Sequence, residues 1–168
     1  FAEILAAVDA AALGRVTAYI AYQEDDRPLP AYLRGKPVYA YRNMAGHAPL
    51  GEDRATPGSG CVIFTTSGTT KAPKFVLHCH AAILRHAQDV ATGFGLLASD
   101  TVVLPAVPFC GVGGFCQAMA TLSAGRPLVT TPAFDAGESA SLIQRHRVTH
   151  MMALGDMSAN LLAAVPGE

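Results

Sequence analysis

Phe64-Thr65-Thr66-Ser67-Gly68-Thr69-Thr70-Lys71-Ala72-Pro73-Lys74 is the stretch on which the reading of this chain turns. An apolar, largely β-branched run, Cys61-Val62-Ile63-Phe64, leads into it, and Phe75-Val76-Leu77 resumes strand-like character beyond it. The segment between is small, rich in hydroxyls and ends in lysine. Small side chains let a ligand approach the backbone, and Gly68 can reach positive φ at little cost. Thr66, Ser67, Thr69 and Thr70, together with backbone N–H groups, can donate to phosphate oxygens; Lys71 and Lys74 bring positive charge to the same place. That chemistry suits a polyphosphate, most simply ATP. A Ser/Thr-rich surface turn is the plain alternative, and the strand-loop-strand context weighs against it. The motif is not G-x-x-x-x-G-K-[ST], because no glycine precedes Gly68 at the required spacing.

Downstream of this loop the rhythm is regular. Ala81 to Phe94 carries Ile83, Leu84, Ala87, Val90, Ala91 and Phe94 at helical spacing, and Gly93 and Gly95 mark its end. Thr101–Leu104 reads as a strand, Pro105 to Gly114 as a loop, and a helix then runs through Met119 and Leu122 to a stop near Gly125. Pro127–Thr131 is the next expected strand, Ala136–Arg147 a helix with Leu142 and Ile143 inward, Val148–Met152 a strand and Ser158–Ala164 a last helix. Strands separated by helix-length segments imply βαβ units with right-handed crossovers. The expected class is α/β, a three-layer sandwich with a mostly parallel sheet and helices on both faces. In such sheets ligands bind at the carboxyl ends of strands, so the phosphate loop and the loop Pro105 to Gly114 are expected to open onto one crevice.

Upstream the pattern is weaker. Glu3 to Leu13 has a helical apolar stripe, Val16–Tyr22 reads as a strand, Tyr32-Leu33 as a short helical turn and Val38–Tyr41 as a short strand. Gln23 to Pro30 is a solvated loop. Ala45 to Gly60 holds four glycines and two prolines and is expected to be a connector. The 168 residues fit one domain of ordinary size. The start at Phe1 and the tail Val165-Pro166-Gly167-Glu168 suggest a segment of a longer polypeptide, the remainder of which would be its partner.

Composition narrows the function classes. Hydrophobic residues make up 51% and charged residues 15%, with a formal charge of −1, which gives no reason to bind nucleic acid or an anionic membrane. No apolar run approaches a membrane span. Cys61, Cys79, Cys110 and Cys116 match neither a C-x-x-C pattern nor a disulfide scaffold, and are expected to be free, mostly buried thiols in a reducing cytoplasm. His78-Cys79-His80 puts two possible ligands on one strand face, without a further cluster to complete a metal site.

The stretch Thr66 to Phe75 resembles the signature of the adenylate-forming (AMP-binding) superfamily, which includes acyl- and aryl-CoA synthetases, nonribosomal adenylation domains and firefly luciferase. The family pattern reads roughly [ST]-[ST]-G-[ST]-[ST]-G-x-P-K-G with a histidine a few residues on, and His80 falls at that place. Lys71 and Phe75 replace two family glycines; the first adds charge beside the phosphates. Val107-Pro108-Phe109-Cys110-Gly111-Val112-Gly113-Gly114-Phe115 resembles the family stretch P-[LF]-[FH]-H-x-[FY]-G, with Gly111 and Gly113 where large side chains are usual. Phe134-Asp135 and the run Leu142 to Thr149 resemble a scaffold unit of the same family.

The resemblance implies ATP-dependent activation of a carboxylic acid to an acyl-adenylate, with release of pyrophosphate and then thioester formation with CoA or a carrier-protein thiol. It implies that Thr66, Ser67, Gly68, Thr69, Thr70, Lys71 and Lys74 hold the phosphates, with Mg²⁺ bridging them and touching the Thr66 hydroxyl. Phe109, Gly111, Gly113, Gly114 and His80 would belong to the substrate pocket, His80 in a packing or loop-orienting role. The two extra glycines either widen that pocket for an aryl or other bulky acyl group or form a bend packed against a neighbour. The sequence has no Y-G-x-[ST]-E stretch and no T-G-D motif, and it lacks the family's late lysine. An isolated chain is therefore expected not to catalyse adenylation. A domain that loads a carrier protein and a non-catalytic nucleotide-binding module remain the alternatives, as does an interaction domain with a degenerate loop.

Overall fold

The computed structural model describes residue 11 and residues 13–23, 25–49, 51–66 and 74–165. The chain divides into two compact units, Phe1–Asp53 and Arg54–Glu168, with the boundary inside the glycine-rich connector. The helix expected over Glu3 to Leu13 falls largely outside the described residues.

In the first unit β1 (Tyr19–Ala21) pairs in parallel with β3 (Lys36–Ala40), and β2 (Tyr32–Leu33) pairs antiparallel with the other side of β3. Tyr32-Leu33 is thus a strand, not a helical turn. Leu33 pairs with Lys36 across two residues, Arg34 and Gly35, at φ +49° and +73°. Two positive φ values in a two-residue connection make a type I′ hairpin, whose twist matches the flanking strands. A 3₁₀ helix, Tyr41–Gly46, closes the unit.

The second unit carries both loops of interest. Its first feature is an antiparallel hairpin, β4 (Gly60–Thr66) with β5 (Lys74–Cys79). Helix α1 (His80–Gly93) follows directly. It ends in a Schellman motif: Gly95, at φ +69°, donates to Thr92 O, and Leu96 N donates to Ala91 O at 2.8 Å. Strand β6 (Val103–Pro105), helix α2 (Val112–Ser123), helix α3 (Ala136–His146), strand β7 (His150–Met152) and helix α4 (Met157–Ala164) complete it. The α/β class therefore holds, with mixed rather than uniformly parallel sheets. The antiparallel pairs join strands consecutive in the chain, whereas β6 and β7, joined through helices, run parallel with Val103 opposite His150.

Pro127–Thr131, expected as a strand, contributes only one parallel bridge, Leu128 to Val103. Pro127 and Pro132 bracket the segment and neither has an N–H to extend the ladder. β6 is consequently the central line of this sheet, and all three of its residues are buried. The core forms where Ala91, Leu96, Val103 and Ala120 meet, with Val90, Ala124 and Leu128 packed against them. Small residues on facing positions, Ala87 and Ala91 of α1 and Ala120 of α2, let the two helices pack closely. Full burial of Val103 and Leu104 contributes roughly 1.5–3 kcal/mol each.

Asp135 begins α3 as an N-cap, its carboxylate accepting from Glu138 N at 2.7 Å. Leu142 and Ile143 are half-buried, and Arg145, His146 and Arg147 form the exposed end of the helix.

Candidate functional site

The phosphate-loop hairpin has two unlike faces. On one, Thr66 pairs with Lys74, Phe64 with Val76 and Val62 with His78. The Phe64 ring meets Phe115 of α2 edge-to-face at 5.4 Å between centroids, and His78 at 5.8 Å. Such aromatic contacts each add about 0.5–1.5 kcal/mol beyond area burial, so Phe64 anchors the hairpin to α2. The other face, Ile63, Leu77 and Phe75, is solvent-exposed, Phe75 to 75%.

Thr66 and Lys74 lie opposite each other at the open end of the hairpin, and both are exposed. The strands thus present a hydroxyl and an ammonium group together at the mouth of the loop. Ser67, Gly68, Thr69, Thr70 and Lys71 lie outside the described residues. A group of three or more His, Cys, Asp or Glu able to hold a metal is absent among the described residues. The Thr66 hydroxyl would suit a Mg²⁺ ion carried on nucleotide phosphates, since Mg²⁺ keeps several waters and substrate oxygens as ligands.

The second loop follows β6. Its backbone rises from Pro105 through Phe109 and Cys110 and lines a cleft of about 400 Å³ together with Thr130–Phe134. This cleft sits beyond the carboxyl end of the central strand, where parallel sheets bind ligands. Phe109 is partly exposed in it. Sequence placed Phe134 in the scaffold and Thr130 in a strand, not in this cleft, because their approach to Phe109 depends on the parallel pairing of Leu128 with β6.

Gly113 and Gly114 belong to the first turn of α2 and not to a loop, and Gly111 is the N-cap position. Their roles separate. A Cβ on Gly114 would lie 2.4 Å from Pro108 O and 2.5 Å from Val107 O, so this buried glycine is a close-packing requirement. At Gly113 a Cβ would meet Met152 Sδ at 3.4 Å, an ordinary contact with a flexible side chain. At Gly111 it would meet only Pro108 O at 3.5 Å. His80 is the first residue of α1, exposed, with its N–H donating to Ser59 O; it does not line this cleft.

The four cysteines are free, but Cys61 and Cys110 are exposed, and Cys79 and Cys116 half-buried, so they are not mostly buried thiols. Cys61 is the extra residue where the register shifts between Gly60 and Val62, and Cys110 rides the loop after β6. Burial pushes the Cys116 thiol up.

A family model described as AMP-binding enzyme matches residues 3–168. The chain belongs to the AMP-binding enzyme family. Among curated proteins, this AMP-binding chain is 31% identical over 103 residues to 2-methylpropanoate–CoA ligase CCL4 of Humulus lupulus, covering 61% of the chain and 18% of that enzyme. It is 32% identical over 111 residues to indoleacetate–CoA ligase of Aromatoleum aromaticum, covering 66% of the chain and 22% of that enzyme. The chain thus spans about a fifth of the length of these relatives. Its fold matches O-succinylbenzoate coenzyme A synthetase of Bacillus subtilis, solved in complex with ATP and magnesium ion, with a TM-score of 0.65 and 22% identity over 77% of this chain and 28% of that one.

Proposed function

We propose that this chain is one α/β subdomain of an enzyme that activates a carboxylic acid with ATP, forming an acyl-adenylate and pyrophosphate, and then passes the acyl group to the thiol of CoA. The observation that carries this reading is the pairing of Thr66 with Lys74 at the mouth of a T-S-G-T-T-K-A-P-K loop in an AMP-binding chain. In adenylation the acid's carboxylate attacks the α-phosphorus, and negative charge builds on the departing pyrophosphate. A positioned ammonium group is most useful where that charge develops. In this reading Lys74 serves the β- and γ-phosphates, with Thr66, Ser67, Thr69 and Thr70 donating hydrogen bonds and Lys71 adding charge. A bound Mg²⁺ would supply further neutralisation of the phosphate oxygens, with Thr66 as its contact in this chain.

The substrate side is assigned to the end of β6 and the start of α2. Phe109 supplies an apolar wall of the cleft, and Gly111 and Gly113, outside its lining, spare the adjoining helix start the large side chains usual there. Gly114 fixes the backbone there, and His80 orients the helix that follows the phosphate loop. The family's relatives that act on carboxylic acids and CoA support this reading, and free thiols fit a reducing cytoplasm. An adenylation domain loading a carrier-protein thiol is the alternative reading, and it differs only in the thiol acceptor.

The nucleotide product tests the reaction class. Incubation of the full-length protein with ATP, Mg²⁺ and a pool of carboxylic acids in hydroxylamine is expected to give acyl-hydroxamate together with AMP. Formation of ADP and phosphate, or ATP binding without any acid-dependent AMP, would overturn the proposal.

A further inference from the structure

Helix α1 follows β5 without a linker, and Cys79 at its N-cap gives no side-chain hydrogen bond to the first turn. The first N–H groups of a helix have no partner within it. Here two of them are met by the chain that leads into β4: His80 N donates to Ser59 O at 3.1 Å and Ala81 N to Pro57 O at 2.9 Å. Both carbonyls belong to the turn Thr56 to Ser59, which closes the glycine-rich connector.

That turn is held twice. Ser59 N donates to Thr56 O at 2.9 Å, the bond of a β-turn, and Pro57 presets the backbone at its second place. The Ser59 hydroxyl accepts from Thr56 N at 2.9 Å and is hydrogen-bonded to the Thr56 hydroxyl at 3.0 Å. Half-buried Ser59 is therefore the residue at which the two sets of bonds meet. Its carbonyl caps α1, its hydroxyl shapes the turn, and Gly60 beside it begins β4.

The consequence reaches the other end of the hairpin. Gly60 pairs with Cys79 at the base, and Thr66 pairs with Lys74 at the mouth. Strand β5 separates the two ends by roughly 17 Å, at about 3.3 Å per residue. A tilt of about 5° at the base therefore moves the mouth by about 1.5 Å, and misplacement of about 1 Å is enough to impair a positioned group. The Phe64 ring against Phe115 steadies the hairpin part-way along; the turn at Ser59 fixes where it starts.

We propose that Ser59 is a positioning residue for nucleotide binding: by closing the turn that caps α1, it sets the direction of β4–β5 and so the place of Thr66 and Lys74. The assignment to nucleotide rests on the proposed function, whereas the clamp stands on its hydrogen bonds.

The test uses the full-length protein with Ser59→Ala, which removes the hydroxyl, and Ser59→Thr, which keeps it. Amide exchange at His80 and Ala81 reads the clamp, and titration with ATP and Mg²⁺ in the absence of acid reads the mouth. Ser59→Ala is expected to speed exchange and weaken ATP binding by about fivefold each, the loss of roughly one hydrogen bond. Ser59→Thr should stay within about twofold of wild type in both. Should Ser59→Ala fail to fold, Thr56→Val, which removes one bond to the Ser59 hydroxyl, is expected to move both readouts in the same direction. Unchanged exchange, faster exchange with unchanged ATP affinity, or a loss that Ser59→Thr shares would overturn the positioning role. ATP binding that Lys74→Ala abolishes and Ser59→Ala leaves alone would overturn it while upholding the nucleotide reading. No ATP binding by the wild type would overturn both.

Discussion

Three glycines that look alike in sequence do different work at the start of α2. Gly114 is held by the carbonyls of Val107 and Pro108, which leave no room for a methyl group. Gly114→Ala is expected to destabilise the protein by about 1–3 kcal/mol, the usual cost of forcing atoms into a packed site. Gly113→Ala meets the Met152 and Val107 side chains at ordinary contact distance and gains helix propensity, so it should lie within about 1 kcal/mol of wild type or above it. Urea unfolding of both variants checks this. An equal loss in the two would mean that Gly113 is also a packing requirement and would remove it from the substrate pocket. At the same scale, Ser59 was illegible in the sequence. One serine in a glycine-rich connector gives no sign that it closes the turn that caps α1.

Among the elements, the hairpin β4–β5 matters most, because it presents Thr66 and Lys74. Phe64 joins it to α2 through Phe115. Phe64→Ala should cost about 1–3 kcal/mol, less than a fully buried phenylalanine because the ring is half-buried. It should also raise the KM for ATP several-fold, since the mouth of the loop loses its support. Steady-state kinetics on the full-length protein would show this, and an unchanged KM for ATP would mean that Phe115 does not position the loop. Elements with strong local signals were read from sequence to within a residue or two: α1 between the phosphate loop and Gly95, α3 after its Asp135 cap, and α4. The failures were elements decided by partners. Tyr32-Leu33 became a strand because Arg34 adopts a left-handed backbone that its residue type does not announce. Gly113 and Gly114 entered a helix because α2 packs against Val107 and Pro108 there, an approach that only glycine permits at position 114. The side chains proposed to bind phosphate were legible as residue types, but the geometry of Thr66 and Lys74 was not. Only the register of β4 on β5 brings Thr66 opposite Lys74.

For the whole molecule, the family membership and the size of its relatives set the frame. The hairpin's second face leaves Ile63 58%, Leu77 64% and Phe75 75% exposed, a contiguous apolar surface of the kind that marks an interaction site. The described residues include no helix long and apolar enough to cross a membrane. Under the proposed function this face would pack against the rest of an acid-activating enzyme, and the central claim is that this enzyme forms an acyl-adenylate. ATP–pyrophosphate exchange on the full-length protein, against pooled aromatic, medium-chain and amino acids, tests that claim most directly when Lys74→Ala is run alongside. Acid-dependent exchange that falls by about tenfold or more in Lys74→Ala is the predicted result. Exchange that is unaffected by Lys74→Ala, or ATP binding with no exchange from any pool, would contradict it.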